Sequence, residues 1–515
     1  MHPSEQELVT RKEIWEMSRK AKMGSKRDLD DLPYSGSEHG SSAMYSSYGS
    51  MAGSKGSQGF YNHPLSDDAK KMKHEHPYSQ SSSDKDKENM RDEEGHLLLK
   101  NGDVLGGRFK VHSLMGTGTF GKVYRCEDAK HNDIVAVKVI RKVDRYIKSA
   151  KTEAAILKSL YRAQEDKSWQ PTVTMFTHVY HDGHYCMAFE PLGKSLLDYI
   201  QLNRYHGFPK YMVKQIAYQL LHALDFIHRL GMVHTDLKLE NILFKEGPEM
   251  ELLLDSSGSG GGGGGENGHS YRSSGTSNGT QSSSSNSSSS FSSSPSPPRS
   301  LRLPKTPHIK LIDFGGAVFE GMHHSKVINT RQYRSPEVIL DLGWSCPSDV
   351  WSAGCIIAEC LSGDLLFSTH DDLEHLYMIE RVVEGIPDRM RSRSPVGRNY
   401  FHNGGWDAPK RRNSRGDNSS TGHGQSRGPM PLRAELLSTK SKNYSNDLPT
   451  LRQFSSFVAQ AAPESRGRDG HDPDMEEMLF ELLRVDPAKR GRPDQVAVYK
   501  WFADVVDSPV HSFGE

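Results

Sequence analysis

Cysteine is scarce. The 515-residue chain has five, Cys126, Cys186, Cys346, Cys355 and Cys360. No two of them form a C-x-x-C pair and none sits beside a histidine at zinc-finger spacing. A disulfide framework and a zinc module are thereby excluded, and buried thiols in a reducing compartment are expected. Long apolar runs are also missing. None approaches ~18 residues, so no transmembrane helix is expected. The opening stretch "MHPSEQELVTRKEIWEM" lacks an apolar core, so no secretory signal is expected. Net charge is absent too, with 65 Lys and Arg against 65 Asp and Glu, so no global field calls for nucleic acid or a membrane. Hydrophobic residues make up only 35% of the chain, which predicts that a sizeable part lies outside any packed core. A soluble intracellular protein with no membrane partner is expected.

What is present is unevenly distributed. The first hundred residues are rich in Ser, Gly, His, Lys and Asp and cannot bury enough apolar surface to offset chain entropy, so a disordered tail is predicted. Alternating apolar residues begin at "VLGGRFKVHSLMG". The segments "KVYRCED", "DIVAVKVIRKV" and "YCMAFEPLG" are further strand candidates, and "SAKTEAAILKSLYRAQ" has helical spacing. Together they predict a small, mostly β lobe with one helix over about 104–190. From about 210 the pattern is helical. "YMVKQIAYQLLHALDFIHRLG" ends on Gly231 as a cap, and "SCPSDVWSAGCIIAECLSG" is strongly apolar. "THDDLEHLYMIERVVEGIP" reads as a helix with Thr369 and Asp372 as a capping box and Gly385 as its stop. Over 256–300, 30 of 45 residues are Ser or Gly, so this is a low-complexity insertion; "HIKLIDFGG" resumes strand character after it. Arg389 to Arg415 holds eight Lys and Arg against one acidic residue. With few aromatics to stack on bases, this patch reads as solvated and import-like, and no direct nucleic-acid partner is expected. "MEEMLFELLRVDPAKRGRPDQVAVYKWFADV" is helical again.

Chemistry-bearing residues recur along this frame. In "GTGTFGKV", Gly116, Gly118 and Gly121 allow a hairpin backbone to approach phosphates with no Cβ in the way; the bland alternative is a glycine-rich hairpin. No helix follows, which disfavours a dinucleotide fold. Lys138 lies inside the apolar strand "VAVKV", and a lysine so placed needs a partner, which Glu153 on the next helix can be. "HTDLKLEN" places Asp236, Lys238, Glu240 and Asn241 within eight residues. Asp313 in "IDFGG" puts a hard carboxylate at a strand end, where it can bind Mg²⁺, and Asn241 offers a neutral oxygen for a second ion. Asp236 can accept a hydrogen bond from an attacking hydroxyl, and Lys238 can neutralise charge on a transferring group.

In this order the parts resemble the eukaryotic protein kinases: "GTGTFGKV", "VAVK", Glu153, "HTDLKLEN", "DFG", "SPE" and "DVWSAG", over about 104–505. A finer resemblance is to the LAMMER (Clk-type) dual-specificity kinases of the CMGC group. "EHLYMIER" keeps six of the eight residues of EHLAMMER, departing at Tyr377 and Ile379. Thr235 stands where most kinases carry an Arg that binds an activation-loop phosphate, as it does in this family, and a Thr cannot pair ionically with phosphate.

The resemblance implies an α+β, two-lobed kinase fold with a small lobe at 104–191 and a large lobe at 192–505. Insertions at 250–304 and 389–470 interrupt the large lobe, and tails at 1–103 and 506–515 flank the domain. It implies ATP and Mg²⁺ (with Mn²⁺ as a substitute) as cofactors. The ATP site would be built by Met115, Gly116, Thr117, Gly118, Thr119, Phe120, Gly121, Val123, Ala136, Lys138, Glu153, Glu240 and Leu243. Phe189 would be the gatekeeper, and the backbones of Glu190 and Leu192 would meet adenine. Asp236 and Lys238 would be catalytic, and Asn241 and Asp313 metal-binding. Glu337 and Arg490 would staple the activation segment, Asp349 would brace the catalytic loop, and Thr330 would take a tuning phosphate. Arg331 and Arg334 would either hold that phosphate or order the loop through backbone carbonyls.

The implied partners are protein substrates with basic or Ser-rich segments, and the implied location is the nucleus, with the cytoplasm in addition. Family members act on splicing factors through Arg-Ser repeats, which are missing here apart from "RSRSP". Kinetoplastid protist relatives are associated with kinetochores, which the altered motif and the insertion would suit. The rival from another class is a pseudokinase or scaffold. Its mark would be the loss of Lys138, Asp236, Asn241 or Asp313, and all four are present.

Overall fold

The chain is described by a computed structural model over residues 92, 94–164, 169–253, 300–322, 325–402, 432–433, 450–451, 453 and 472–506. The expected tail before residue 92, the Ser/Gly-rich stretch and the 506–515 tail beyond Val506 lie outside the described residues.

The alternating strands pair into one curled antiparallel sheet. Its strands are β1 (Val104–Leu105), β2 (Phe109–Gly118), β3 (Gly121–Asp128), β4 (Asp133–Ile140), β5 (Met175–His181) and β6 (His184–Phe189), in the order β1-β2-β3-β4-β6-β5. Between β4 and β5 runs helix α1 (Asp144–Ala163), whose Ala150, Ala154, Leu157 and Leu160 pack with Met187 on one face of the sheet. Phe109, Val111, Tyr124, Cys126 and Val137 form a separate apolar cluster on the other face, joined by Leu97. The predicted boundary of the tail at residue 103 is therefore too late. Leu97 is buried, its carbonyl accepts the Tyr124 hydroxyl at 3.0 Å, and Asp92 pairs with Lys122 at 2.8 Å.

Strand β7 (Leu192–Ser195) leads through helix α2 (Leu196–Leu202) into the helical lobe. Ser195 and Asp198 form a reciprocal capping box at the start of α2. Helix α3 (Lys210–Arg229) buries one stripe and stops at Gly231, whose φ of +69° matches the predicted cap. After the two-residue strand β8 (Met232–Val233), β9 (Ile242–Lys245) is followed by β10 (Glu249–Leu253), β11 (Ser300–Pro304), β12 (Ile309–Leu311) and β13 (Val318–Phe319). These make a three-stranded sheet β12-β9-β7 and the pairs β10-β11 and β13-β8.

The β10-β11 pair corrects the expected insertion bounds of 250–304. Residues at both ends of the insertion are strands, in register from Glu249 opposite Pro304 to Leu253 opposite Ser300. The ends are thus held side by side, the condition under which a long insert costs little.

Helix α4 (Pro347–Ser362) is buried on nearly every side, as its apolar sequence requires. It ends at Gly363, where a Cβ would lie 2.0 Å from the Tyr205 carbonyl. Helix α5 (Asp372–Val382) carries the "EHLYMIER" run and buries Leu373, Leu376 and Ile379. Its N-cap is Asp371, whose carboxylate accepts from the Glu374 N–H, so the Thr369/Asp372 box is corrected: Thr369 instead bonds the Glu374 side chain. Val383, with a negative φ, caps the end in place of Gly385. The expected irregular insertion also begins too early. Residues Asp388–Arg393 and Gly397–Tyr400 are helical, and Arg391 pairs with Glu380 at 2.6 Å. The closing segment is broken: helix α6 (Pro473–Leu482) is separated from a turn of helix at Pro493–Val496.

Candidate active site

The glycine-rich run forms the β2–β3 hairpin, with Gly118 paired to Gly121 and Thr119 and Phe120 at its tip. A Cβ at Gly121 would lie 2.2 Å from the Val139 carbonyl, so only glycine lets the hairpin lie this close to β4. Met115, Gly116 and Thr117 belong to the same strand β2. The exposed Phe120 ring packs edge-on against Tyr146, 5.2 Å between centroids.

Lys138 on β4 reaches across to α1 and donates to both Glu153 oxygens, at 3.1 and 3.0 Å. Asp313 stands 3.8 Å away on the other side. Burial alone would depress the Lys138 ammonium, but the Glu153 and Asp313 charges outweigh it and hold its pKa above the ordinary lysine value.

Asp313 has φ +63° and ψ +68°, a left-handed conformation that an aspartate tolerates and that ends β12 abruptly. Phe314 is buried behind it against the His234 ring, whose Nε2 lies 3.0 Å from the Ile312 carbonyl.

The catalytic-loop candidate is held from beneath. The Asp349 side chain at the start of α4 is fully buried. It accepts the backbone N–H of His234 at 2.7 Å and of Thr235 at 3.0 Å, with His228 Nε2 at 3.1 Å. This anchors Thr235 at φ +72°, and its hydroxyl donates to the Gly316 carbonyl at 2.9 Å. Asp236, its side chain about one third exposed, follows. Its Oδ2 accepts from Lys238 at 2.8 Å, its Oδ1 from the Thr330 hydroxyl at 3.0 Å, and its carbonyl from the Asn241 amide at 2.8 Å. Burial would raise this carboxyl, yet the Lys238 charge and the two side-chain hydrogen bonds bring it below the usual range, so it is ionised at neutral pH. Burial raises the neighbouring Glu240.

The residues expected around adenine lie as follows. Ala136 pairs opposite Phe189, Val123 opposite Lys138, and Leu243 sits on β9 opposite Lys310. Phe189 and Ala136 are buried. Leu192 begins β7 and Glu190 joins the two lobes, its N–H bonded to the Thr174 carbonyl at 3.1 Å.

The activation segment is stapled as expected. Arg490 makes two bonds to Glu337, at 2.7 and 2.9 Å, and lies over the Trp351 ring. Arg334 orders the loop through the carbonyls of Ile328 and Asn329, both at 3.0 Å, while Arg331 pairs with Asp372 at 2.5 Å. The Thr330 hydroxyl donates to Asp236 Oδ1 at 3.0 Å, which ties this segment to the catalytic-loop candidate.

Three relationships were not anticipated. Lys310, 4% exposed, donates to Glu190 at 2.5 Å beneath the lobe junction. Its signal was available, since a lysine inside the apolar run "HIKLI" needs a partner as Lys138 does. His96 Nε2 lies 3.2 Å from the Gly118 carbonyl, tying the segment before β1 to the glycine loop. Tyr333 donates to the buried Glu359 at 2.7 Å. Neither of the last two had a local signal.

The donor set suits a nucleotide and a divalent cation. Asp313 offers a carboxylate beside the paired Lys138, and the Asn241 amide nitrogen is used internally, which turns its oxygen to other service. Among the described residues no group of three or more His, Cys, Asp or Glu could cage a metal. One carboxylate and one amide fit a hard cation shared with phosphates.

The sequence matches the family described as Protein kinase domain over residues 109–254 and 301–502. It is 36% identical over 350 residues to the human dual specificity protein kinase CLK1, covering 67% of this chain and 62% of that one. It is 38% identical over 299 residues to the Arabidopsis thaliana serine/threonine-protein kinase AFC2, covering 58% of this chain and 62% of that protein. The probable dual specificity protein kinase madd-3 of Caenorhabditis elegans is 36% identical over 314 residues, 61% of this chain but 30% of madd-3. The chain thus spans less than two thirds of each of these relatives. The solved crystal structure of the PF14_0431 kinase domain superposes with a TM-score of 0.59 at 29% identity, covering 80% of this chain and all of that one. With the paired Lys138, the braced Asp236 and the stapled Glu337 in one frame, the chain belongs to the protein kinase family, and its relatives there include Clk-type dual-specificity kinases.

Proposed function

We propose that the protein transfers the γ-phosphoryl group of ATP to Ser and Thr hydroxyls of protein substrates, and to Tyr by autophosphorylation, as a LAMMER-type kinase. The observation that carries this is the convergence of Lys138, Asp236, Asn241 and Asp313 on one cleft between the lobes, each held by a named partner. ATP with a divalent cation, Mg²⁺ or Mn²⁺, supplies the phosphoryl group and screens its charge. Lys138, fixed by Glu153, positions the phosphates, and the glycine hairpin covers them with backbone N–H groups. Asn241 and Asp313 would hold the cation.

Asp236, ionised and oriented by Lys238 and Thr330, accepts a hydrogen bond from the substrate hydroxyl and aligns it for attack. Lys238 also offsets charge developing on the transferred group. The residue set of a turnover-competent site is complete, which favours this reading over a scaffold. Splicing-factor or chromosome-segregation proteins in the nucleus remain the substrates suggested by resemblance to the family.

The test is phosphate transfer from labelled ATP to a basic Ser-containing peptide. Asp236→Asn and Lys138→Met are each expected to lower turnover by about 100-fold or more while the fold, checked by circular dichroism, is retained. Wild-type turnover by either variant overturns the assignment.

A further inference from the structure

The side of α1 facing away from Glu153 forms a cleft with strands β5 and β6. Lys151, Ala155, Lys158 and Arg162 recur on one stripe of the helix. At ~100° per residue Glu153 falls roughly 200° around from Lys151, on the opposite side. The cleft has a volume of about 350 Å³. Its floor is aromatic: Tyr185 is buried, the half-exposed Tyr180 stands edge-on to it at 5.4 Å, and His178 is tilted against it at 5.1 Å.

The charge around this floor is of one sign. Lys151 lies over the Tyr180 ring at 5.6 Å, and Lys158 and Arg162 complete the rim. No acidic residue lines the cleft, and none of these three cations enters an ion pair among the described residues. Burial, and then the charges of Lys158 and Lys151, push the His178 imidazole below its ordinary pKa, so it sits there neutral. Three cations held together on a structured helix without counter-charge repel one another, and an anion relieves that repulsion. The cleft is one or two side chains in size and is walled by rings. A polyanion threading an extended groove does not fit that shape, whereas a short peptide with one concentrated charge and an adjoining apolar side chain does.

We propose that this cleft is a docking site for a phosphorylated Ser or Thr segment of a partner protein, separate from the ATP and substrate cleft. The phosphate dianion sits among Lys151, Lys158 and Arg162, with Arg162 supplying a fork of N–H donors. A neighbouring apolar side chain of the partner rests on Tyr180 and Tyr185.

The experiment uses the full-length chain, immobilised, with its ATP site filled by a non-hydrolysable ATP analogue and Mg²⁺. It is offered an oriented peptide library with phosphoserine fixed at the centre, and the same library with serine there. Retention of the phosphorylated library is expected at ten times that of its counterpart or more. The double variant Lys158→Glu/Arg162→Glu is expected to lose at least tenfold of that retention, while its transfer rate to a basic peptide stays within twofold. Ala155→Trp, which fills the cleft without changing charge, is expected to lose it as well and guards against misfolding of the charge variant. Equal retention of the two libraries, or undiminished retention by both variants, overturns the proposal. So does stronger retention of single-stranded RNA with the same dependence on Lys158 and Arg162, which would make the occupant a nucleic acid.

Discussion

Thr330 and Asp236 are 94 positions apart, yet the threonine hydroxyl donates to Asp236 Oδ1 at 3.0 Å. Lys238 takes the other oxygen, so the carboxylate proposed to align the substrate is fixed from both sides, one of them the activation segment. A hydrogen bond to a charged group contributes roughly 1.5–3 kcal/mol. Thr330→Val is therefore expected to lower kcat by roughly 10- to 100-fold with little change in KM for ATP, and Thr330→Ser to stay within a few-fold. A phosphate on Thr330 would set a dianion against Asp236. Phosphatase treatment, checked by mass spectrometry, is accordingly expected to leave activity within tenfold. A loss of a hundredfold restored by rephosphorylation would place the switch on this segment after all.

The Glu337–Arg490 pair is almost fully buried, and Arg490 also serves the carbonyls of Arg484, Val485 and Pro347. Removing one partner strands a buried charge, at about 3–5 kcal/mol. Arg490→Leu should lower the melting temperature by about 5 °C or more in a domain of this size. Adding Glu337→Gln should recover part of that loss. A double variant no more stable than Arg490→Leu would argue that Arg490 acts mainly through the three carbonyls.

How far the site could be read from sequence depended on whether a residue's partner was close by in a motif. Lys138 in an apolar strand and Asp236, Lys238 and Asn241 in one run announce themselves, because burying or clustering such groups without a purpose is costly. Glu153, 15 positions away on the next helix, followed from the need of Lys138 for a partner, whereas Asp349 and Arg490 were reached only through resemblance to a family, since their partners lie 114–115 and 153 positions away. The Thr330–Asp236 bond was missed for the same reason, and an Asp or Thr in a loop has many bland roles. The strands of the insertion hairpin were missed because "EMELL" and "SLRLP" are short and border a low-complexity run. Their pairing is a tertiary fact that alternation in five residues does not establish. The Thr369 box failed by two positions, within the usual uncertainty of helix ends, because "STHDD" offers several capping side chains in a row.

The hairpin makes a precise deletion testable. Leu253 and Ser300 are paired, so replacing residues 254–299 with Asn-Gly should close β10-β11 with a two-residue turn. Lys194, Tyr199 and Arg302 hold Glu249 from the outside, and Asn203 holds the Arg302 backbone, so the hairpin keeps its footing. Turnover should remain within a few-fold. Loop-closure entropy predicts a stability equal to or above that of the parent by up to roughly 3 kcal/mol. A folded but inactive variant would show that the insertion takes part in the reaction.

Glu359 makes stability depend on pH near neutrality. Burial pushes its carboxyl up to about 7; the Tyr333 hydroxyl bond opposes this, and the Glu240 and Asp364 charges add to it. Unfolded, the same group titrates near 4.5. Between these values the folded state binds the extra proton, so stability falls as pH rises from about 5 through 7. The opposite would hold for a salt-bridged carboxylate, whose folded pKa is depressed. Glu359→Gln keeps an acceptor for Tyr333 and removes the titration. Its melting temperature should decline less than that of the parent between pH 5.5 and 8 (roughly), and at the alkaline end the variant should be the more stable of the two. The measurement is thermal unfolding of both proteins across that range at fixed ionic strength. Parallel curves would show that Glu359 stays ionised in the folded protein, stabilised by the Tyr333 hydrogen bond, and that the segment bearing Thr330 and Tyr333 is held independently of pH.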